Sequence, residues 1–196
     1  MSPLVIGVVF LVVLVDGAVM AGFAYYFGLF ARVRVETVEL PALWLAYERR
    51  TGPYMGVAAV MEPMRELLAR RYGIACAQGF GIYLDDPRKA DRNHVRSVLG
   101  CVLSGEDAAR LPETTEGFYL AQLPPCRALM TRFPYRGAPS RMMGVMRAAG
   151  ALLRHMERNG IPSGPIMEIF DLAASETRYV RFHEMPDGYL ETLYEA

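Results

Sequence analysis

The first segment of the chain is a long run of apolar positions, and the pattern changes sharply after it. Between residues 4 and 30 only Asp16 is charged. A helix of this length, at about 1.5 Å per residue, outspans the roughly 30 Å hydrocarbon core of a bilayer. The three residues before it supply no basic side chain, which favours an uncleaved anchor over a cleaved signal peptide. The pattern predicts a transmembrane anchor over residues 1–31.

Beyond the anchor, the apolar positions alternate between the periods of strands and helices. A helical pattern runs from Val57 to Leu68 and ends at Gly73, and Asp85-Asp86-Pro87 favours a turn. The strand patterns of the first half, about residues 33–104, lie at 43–49, 76–84 and 95–103. This half is predicted to be strand, helix, strand, strand.

The second half, about residues 117–185, repeats the same order after a connector at 104–116. Its helix begins at Pro139 and ends at Asn159-Gly160. Its strand patterns lie at 127–133, 166–171 and 178–183. A slide of 85 positions superposes Leu67-Leu68 on Leu152-Leu153. We therefore expect an α+β domain over residues 32–196, built from two pseudo-symmetric repeats that share a core and leave a groove where they meet.

Charge and cysteine content narrow the partners and the compartment. The chain has 21 basic and 21 acidic residues, so its zero net charge disfavours nucleic acid as a partner. Arg32 and Arg34 flank the anchor only on its C-terminal side, which predicts the N-terminus outside and the domain in the cytoplasm. The three cysteines are odd in number and widely spaced, so free thiols in a reducing compartment are expected. No metal or cofactor motif is present.

Four motifs together resemble those of the GyrI-like family. They are Thr-Gly-Pro-Tyr at 51–54, Gly-Ile-Tyr-Leu-Asp-Asp-Pro at 81–87, Arg96, and Gly-Pro-Ile-Met-Glu-Ile-Phe at 164–170. This family includes the effector-binding domains of multidrug-responsive transcription activators. The resemblance covers roughly residues 33–185 and implies a hydrophobic, aromatic-lined cleft in which Glu168 contacts cationic amphipathic ligands.

The anchor and the Phe-Pro-Tyr segment at 133–135 are similar to the membrane-anchored branch of this family, which contains a testis-expressed reticulophagy receptor. The sequence lacks the long tail of that receptor. Tyr189 is followed by Thr192 where an autophagy-adaptor motif needs an aliphatic residue. A role in autophagy is therefore not expected.

Glu168 is the strongest candidate for a functional side chain. Its predicted strand is apolar on both faces, so burial should raise the pKa of the carboxyl group and favour any cation that enters. A slide of 87 positions aligns Glu168 with Gly81, which pairs a charge in one half with space in the other. The structural alternative is a buried ion pair with Arg181.

Aromatic side chains offer flat surfaces for apolar rings and cations. Those that could line the cleft with Glu168 are Tyr83, Phe170, Trp44 and Tyr54. Ordinary core packing is the alternative for each. The methionines at 142, 143, 146 and 156 fit either an adaptable pocket or the core.

The anchor also carries features that suit helix association. Asp16 lies near mid-membrane, where a charge is costly. The pairs Gly17/Ala21 and Ala18/Gly22 have the small-xxx-small spacing that lets two helices approach. A homo-oligomer through the anchor is one interpretation, and local hydration of Asp16 is the other.

Three functions remain open at this point. The first is a membrane-anchored cytoplasmic module that binds apolar or cationic amphipathic small molecules and is not an enzyme. The second is a GyrI-like hydrolase of strained electrophilic small molecules, in which Glu168 activates water. The third is an adaptor whose surface recruits a protein.

Overall fold

A computed structural model describes residues 2–54, 57–86, 89–91, 93–112, 117–186 and 188–195. The N-terminal helix α1 spans Pro3–Tyr26, and none of its residues is buried. Its length and composition suit a membrane span, and a signal sequence near an N-terminus has the same properties. The predicted apolar helix is therefore confirmed as an element.

The remaining chain forms eight strands and several helices. The strands are β1 (Glu36–Leu40), β2 (Leu43–Thr51), β3 (Gln78–Tyr83), β4 (Arg96–Leu103), β5 (Tyr119–Leu123), β6 (Cys126–Pro134), β7 (Ile166–Asp171) and β8 (Glu176–Phe182). The helices are α2 (Val57–Tyr72), α3 (Gly105–Ala109), α4 (Ala138–Gly144), α5 (Gly150–Arg158) and α6 (Tyr189–Glu195), with a π-helical turn at Val145–Ala149 between α4 and α5.

All eight strands join in one antiparallel sheet of order β1-β6-β8-β7-β3-β4-β2-β5. The order is symmetric about the central pair, β7 and β3. Each half contributes one strand of this pair and the next two strands on that side, which are β8 and β6 for the second half and β4 and β2 for the first. The outermost strands are different, because β1 pairs with β6 of the second half and β5 pairs with β2 of the first.

The two faces of the sheet bury different clusters. One cluster takes residues from every strand and from α6, so the sheet curls around it. The other face packs against α2 through Met64 and Leu68, and against α5 through Leu152 and Met156. Between these helices lies a smaller cluster containing Val60, and this position is where the sequence predicts a groove.

The predicted order of strand, helix, strand, strand is present in both halves. Edge strands β1 and β5, helices α3 and α6 and the π-helical turn are additions to the predicted set. A single slide of 85 positions does not describe the sheet: Glu168 lies 87 positions after Gly81, whereas Tyr179 holds the place of Leu99 at a distance of 80. Turns of unequal length between the strands account for the difference.

The π-helical turn lies where the second helix comes closest to the sheet. The hydroxyl of Thr131 on β6 donates to the carbonyl oxygen of Ala148 at 3.2 Å. One turn earlier, a Cβ atom on Gly144 would lie 2.5 Å from the hydroxyl oxygen of Tyr179 and 3.2 Å from the ring of Phe133. Gly144 therefore lets this helix approach the sheet more closely than any other residue would.

The expectation of three free cysteines is wrong for two of them. Cys76 and Cys101 form a disulfide, with their Cα atoms 5.7 Å apart. The segment after α2 returns to β4 beside the place where Gly79 pairs with Cys101. A separation of 25 residues gave no sign of this pairing in the sequence. Cys126 is free and buried.

Candidate functional site

The candidate site is built around Glu168, at the centre of the sheet. Glu168 on β7 pairs directly with Gly81 on β3 and with Tyr179 on β8. Because side chains alternate along a strand, Glu168 shares its face with Phe170, and that face is covered by α2 through Val60 and by α4, whose Arg141 lies over Phe170. The side chain of Glu168 is buried, with 5% of the residue exposed.

Tyr83 supplies the hydrogen bond to this carboxylate. Its hydroxyl donates to Oε2 of Glu168 at 3.0 Å. Burial is the main cause that raises the pKa of Glu168, while the charge of Arg141 and the hydrogen bond from Tyr83 lower it in part. Burial and the neighbouring carboxylate raise the pKa of Tyr83 well above its usual value, so the phenol stays protonated and can act as a donor.

The cation whose charge acts on this carboxylate is Arg141 rather than Arg181. Arg141 on α4 lowers the pKa of Glu168 through its charge, and its guanidinium carbon lies 5.7 Å from the ring centroid of Phe170. Arg181 instead donates to the carbonyl oxygens of Pro162, at 3.3 Å, and of Phe182. Among the described residues there is no ion pair between Glu168 and Arg181, so the structural alternative is not supported.

Tyr54 extends the site from Tyr83 towards the solvent. The two rings lie 4.7 Å apart between centroids. The hydroxyl of Tyr54 donates to the carbonyl oxygens of Asp85 at 2.8 Å and Arg96 at 3.1 Å, and it accepts from the amide of Asp85. Desolvation by burial raises the pKa of Tyr54 to about 12. The ring is therefore held in place from its polar end.

The Asp85 turn is fixed by a two-pronged contact with the next strand. Arg96 donates from its backbone amide to Oδ2 of Asp85 at 2.6 Å and from Nη2 to Oδ1 at 2.8 Å. The hydrogen bonds from the Arg96 side chain are the largest cause that lowers the pKa of Asp85. The turn predicted here therefore supports Tyr54. Pro87, the last residue of that motif, lies outside the described residues.

A cavity of about 300 Å³ opens beside these two tyrosines. Its lining includes Pro53, Tyr54, Tyr83 and Leu99. This volume is at the small end of the range for sites that hold small molecules. Glu168 does not line the cavity, since Tyr83 stands between them.

The structure brings four of the five predicted site residues together. Phe170 belongs to the cluster between the helices, where its ring centroid lies 6.1 Å from that of Tyr135. Trp44 does not reach this cluster. It lies on β2, two strands away from β3, and packs in the cluster beneath α2.

The methionine row is divided between two environments. Met156 is buried in the core, whereas Met142 and Met146 are 65% and 60% exposed. Sequence reasoning missed Arg141, although it precedes this row directly on the same helix. The signal that could have found it is a basic residue directly before the methionine row of this helix.

Within the described part of the chain, no group of three His, Cys, Asp or Glu side chains is placed to hold a metal ion. The buried carboxylate has a phenol and a guanidinium as its neighbours. This arrangement can accept a cation or a hydrogen-bond donor, and it can hold a water molecule between two polar groups.

No protein-family model and no curated protein sequence matches the chain. Solved structures do resemble it. The EcmrR C-terminal domain has a TM-score of 0.53 at 14% identity, covering 78% of this chain and 98% of that one. SAV2435 bound to tetraphenylphosphonium has a TM-score of 0.52 at 9% identity, covering 77% and 94%.

An EcmrR–DNA complex has a TM-score of 0.54 at 11% identity, covering 82% of this chain and 62% of that one. At these identities the likeness shows a shared fold. The GyrI-like family, its small-molecule ligands and its membrane-anchored branch stay predictions from the sequence motifs.

Proposed function

We propose that this protein is a membrane-anchored module that binds apolar or cationic amphipathic small molecules in the cleft between α2 and α4. Glu168 is proposed to face the cationic part of the ligand, and Tyr83, Tyr54 and Phe170 its rings. The observation that carries this proposal is the burial of a carboxylate among aromatic side chains beside an open cavity. Such a carboxylate attracts a cation more strongly than one in water.

The neighbours support the ligand class. SAV2435 has the same fold and is bound to tetraphenylphosphonium, a cation surrounded by four aromatic rings. A similar ligand on this chain would need Tyr83 to turn aside, because the cavity stops at that ring. It would also compete with Arg141 for Glu168.

Equilibrium dialysis tests the proposal on the full chain in detergent micelles. We expect tetraphenylphosphonium to bind more tightly than neutral triphenylphosphine oxide, which has similar rings. Micelles alone absorb both compounds, so protein with Glu168→Gln in the same micelles provides the baseline. Equal binding of the cation by both proteins would contradict the role of Glu168.

The hydrogen bond between Tyr83 and Glu168 favours a hydrolase as the second candidate function. A second polar group aimed at the carboxylate is what activation of water requires. Glu168 would take a proton from a water molecule while the oxygen of that water molecule forms a bond to a strained ring carbon. The electron pair of the broken ring bond would take up a proton, so the net reaction is addition of water. Mass spectrometry of an epoxide or cyclopropane incubated with the protein, and with Tyr83→Phe and Glu168→Gln, tests this reaction.

The anchoring rests on α1, an apolar helix of which no residue is buried. Exposed apolar area of this size needs a bilayer or a second helix to cover it. Retention of the full chain in membranes after carbonate extraction is the expected result. Release into the soluble fraction would contradict anchoring. Pairing of two anchors through Gly17/Ala21 and Ala18/Gly22 stays a prediction, and crosslinking in membranes is its measurement.

Two observations bear on the side of the membrane that the domain faces. Arg32 and Arg34 favour the cytoplasm. The bond between Cys76 and Cys101 favours an oxidising compartment, because the cytosol keeps thiols reduced. Blocking the thiols before cells are broken distinguishes the two. One blocked thiol per chain places the domain on the oxidising side, and three place it in the cytoplasm.

A further inference from the structure

The surface where the domain meets the end of α1 is strongly basic. A cavity of about 500 Å³ lies there, lined by the segment just after the helix and by the π-helical turn and α5. Its cationic side chains are Arg32, Arg34, Arg147 and Arg154. None of them forms an ion pair among the described residues. This surface is called the arginine cavity below.

Contacts with the end of α1 fix the position of this cavity along the axis of that helix. Arg147 donates to the carbonyl oxygen of Gly28 at 3.0 Å, two residues beyond the helix. Arg136 donates to the carbonyl oxygen of Tyr26, and its guanidinium carbon lies 4.7 Å from the centroid of that ring. The domain is therefore held directly against the end of α1. If α1 spans a bilayer, the arginine cavity lies at the level of the phospholipid headgroups.

Exposed apolar side chains border the same surface. Met142, Val145 and Met146 recur at helical spacing, and all three point to solvent. Phe30, which lines the arginine cavity, is 65% exposed. Apolar side chains beside a cluster of arginines are typical of a surface that lies in the headgroup region with its apolar part in the acyl boundary.

We propose that the arginine cavity binds the headgroup of an anionic phospholipid from the bilayer that α1 spans. The inference rests on the proposed anchoring of α1. Charge complementarity supports it, because guanidinium groups bind phosphate oxygens through paired hydrogen bonds and these four have no carboxylate partner in the part of the chain that the structure describes. Continuity with the apolar helix identifies the source as a membrane lipid. Met142, Val145 and Met146 would then contact the acyl chains near the glycerol.

Native mass spectrometry of the full chain from nanodiscs tests the proposal. Nanodiscs contain equal amounts of phosphatidylglycerol and phosphatidylcholine, and the lipid retained on the protein is counted. We expect roughly tenfold enrichment of phosphatidylglycerol over phosphatidylcholine, which falls as salt rises. Replacement of Arg32, Arg34 and Arg154 by Gln should remove the enrichment. Arg147 is left unchanged because it also holds the end of α1.

A matched control loses the same charge elsewhere. Arg65→Gln, Arg70→Gln and Arg110→Gln remove three arginines that pair with Glu62, Glu66 and Asp107, away from the cavity. This control should keep the enrichment. Equal loss in both triple variants would overturn the proposal, as would retention of both lipids in equal amounts by the unchanged protein.

Two further arms separate the sources of failure. Protein that does not enter nanodiscs at all overturns the anchoring and this inference together, whereas protein that enters without headgroup preference overturns this inference alone. The second arm repeats the nanodisc experiment with soluble glycerol phosphate added. Unchanged retention of phosphatidylglycerol supports a bilayer lipid, and its displacement by the soluble phosphate overturns that choice of ligand.

Discussion

Tyr83 and Glu168 are joined across the two central strands by a hydrogen bond of 3.0 Å. Tyr83 is a neutral donor, so it satisfies an oxygen of the carboxylate without neutralising its charge. Neutralisation of the negative charge therefore depends on Arg141 or on a cationic ligand. The site is therefore best tested by changing one of these three groups at a time.

Glu168→Gln should weaken the binding of tetraphenylphosphonium by about 1–3 kcal/mol and leave neutral aromatic compounds little affected. The amide oxygen can still accept from Tyr83, so the melting temperature should change little. Dialysis measures the change in binding, and calorimetry measures the melting temperature. Glu66→Gln, on the exposed side of α2, is the matched control. A large drop in melting temperature with unchanged ligand selectivity would remove Glu168 from the site.

The binding of cations should increase with pH. Burial raises the pKa of Glu168, so the folded protein keeps its proton at pH values where the unfolded chain has lost it. The free energy of unfolding should therefore fall as pH rises from about 4.3, the ordinary value for Glu, to the raised value. Cation binding should rise through the same window, because it needs the carboxylate. A Glu168→Gln protein with the same pH profile would contradict this assignment.

Arg141→Gln should tighten the binding of a cationic ligand. The guanidinium near Phe170 competes for the same carboxylate, and its removal leaves Glu168 without a counter-charge. We expect a gain of about 1 kcal/mol, with a further rise in the pKa of Glu168. Dialysis across a pH series measures both. Arg132→Gln, on an exposed part of β6, should change neither quantity.

Gly144→Ala should destabilise the fold by about 1–3 kcal/mol. The new Cβ would meet the hydroxyl of Tyr179 at 2.5 Å, so α4 must move away from the sheet. Denaturant unfolding measures the loss. Gly105→Ala is a suitable comparison, because its nearest neighbour, Nε1 of Trp44, is 4.0 Å away. Equal stability of the two variants would mean that the helix has room to shift.

Reduction of the disulfide should lower the free energy of unfolding by about 3.5 kcal/mol, the loop-closure value for a separation of 25 residues. The measurement is thermal unfolding with and without a reducing agent. Protein in which Cys76 and Cys101 are both replaced by Ser should melt like the reduced protein and should not respond to the agent. A change in the melting temperature of that variant on adding the agent would mean that the effect comes from Cys126 and not from the disulfide.

The sequence predicted the parts of the fold that depend on local periodicity. Strands β3 and β7 are short apolar runs, so they could be placed, and with them Tyr83, Glu168 and Phe170. Strand β1 was missed because it lies at the sheet edge and carries Glu36 and Glu39, which hide its strand pattern. Residues that meet only through the topology were also missed.

Trp44 and Arg141 are two examples of this limit: Trp44 was predicted in the site and lies outside it, whereas Arg141 was missed. Trp44 is aromatic and lies in a predicted strand, but the strand order separates it from the cleft. Arg141 lies on the predicted helix of the second half, and only the packing of α4 over β7 brings it over Phe170, where its charge acts on Glu168. The disulfide has the same origin, since no local pattern relates Cys76 to Cys101.

The exchange of the outermost strands makes the two halves interdependent. The first half supplies β1 to the edge of the second, and the second supplies β5 to the edge of the first. Neither half can complete its own hydrogen-bonded edge, so each would expose an unpaired strand if it were separated from the other. The domain should therefore melt in a single transition. Two fragments cut between β4 and β5 should associate rather than fold apart, as an intertwined dimer does.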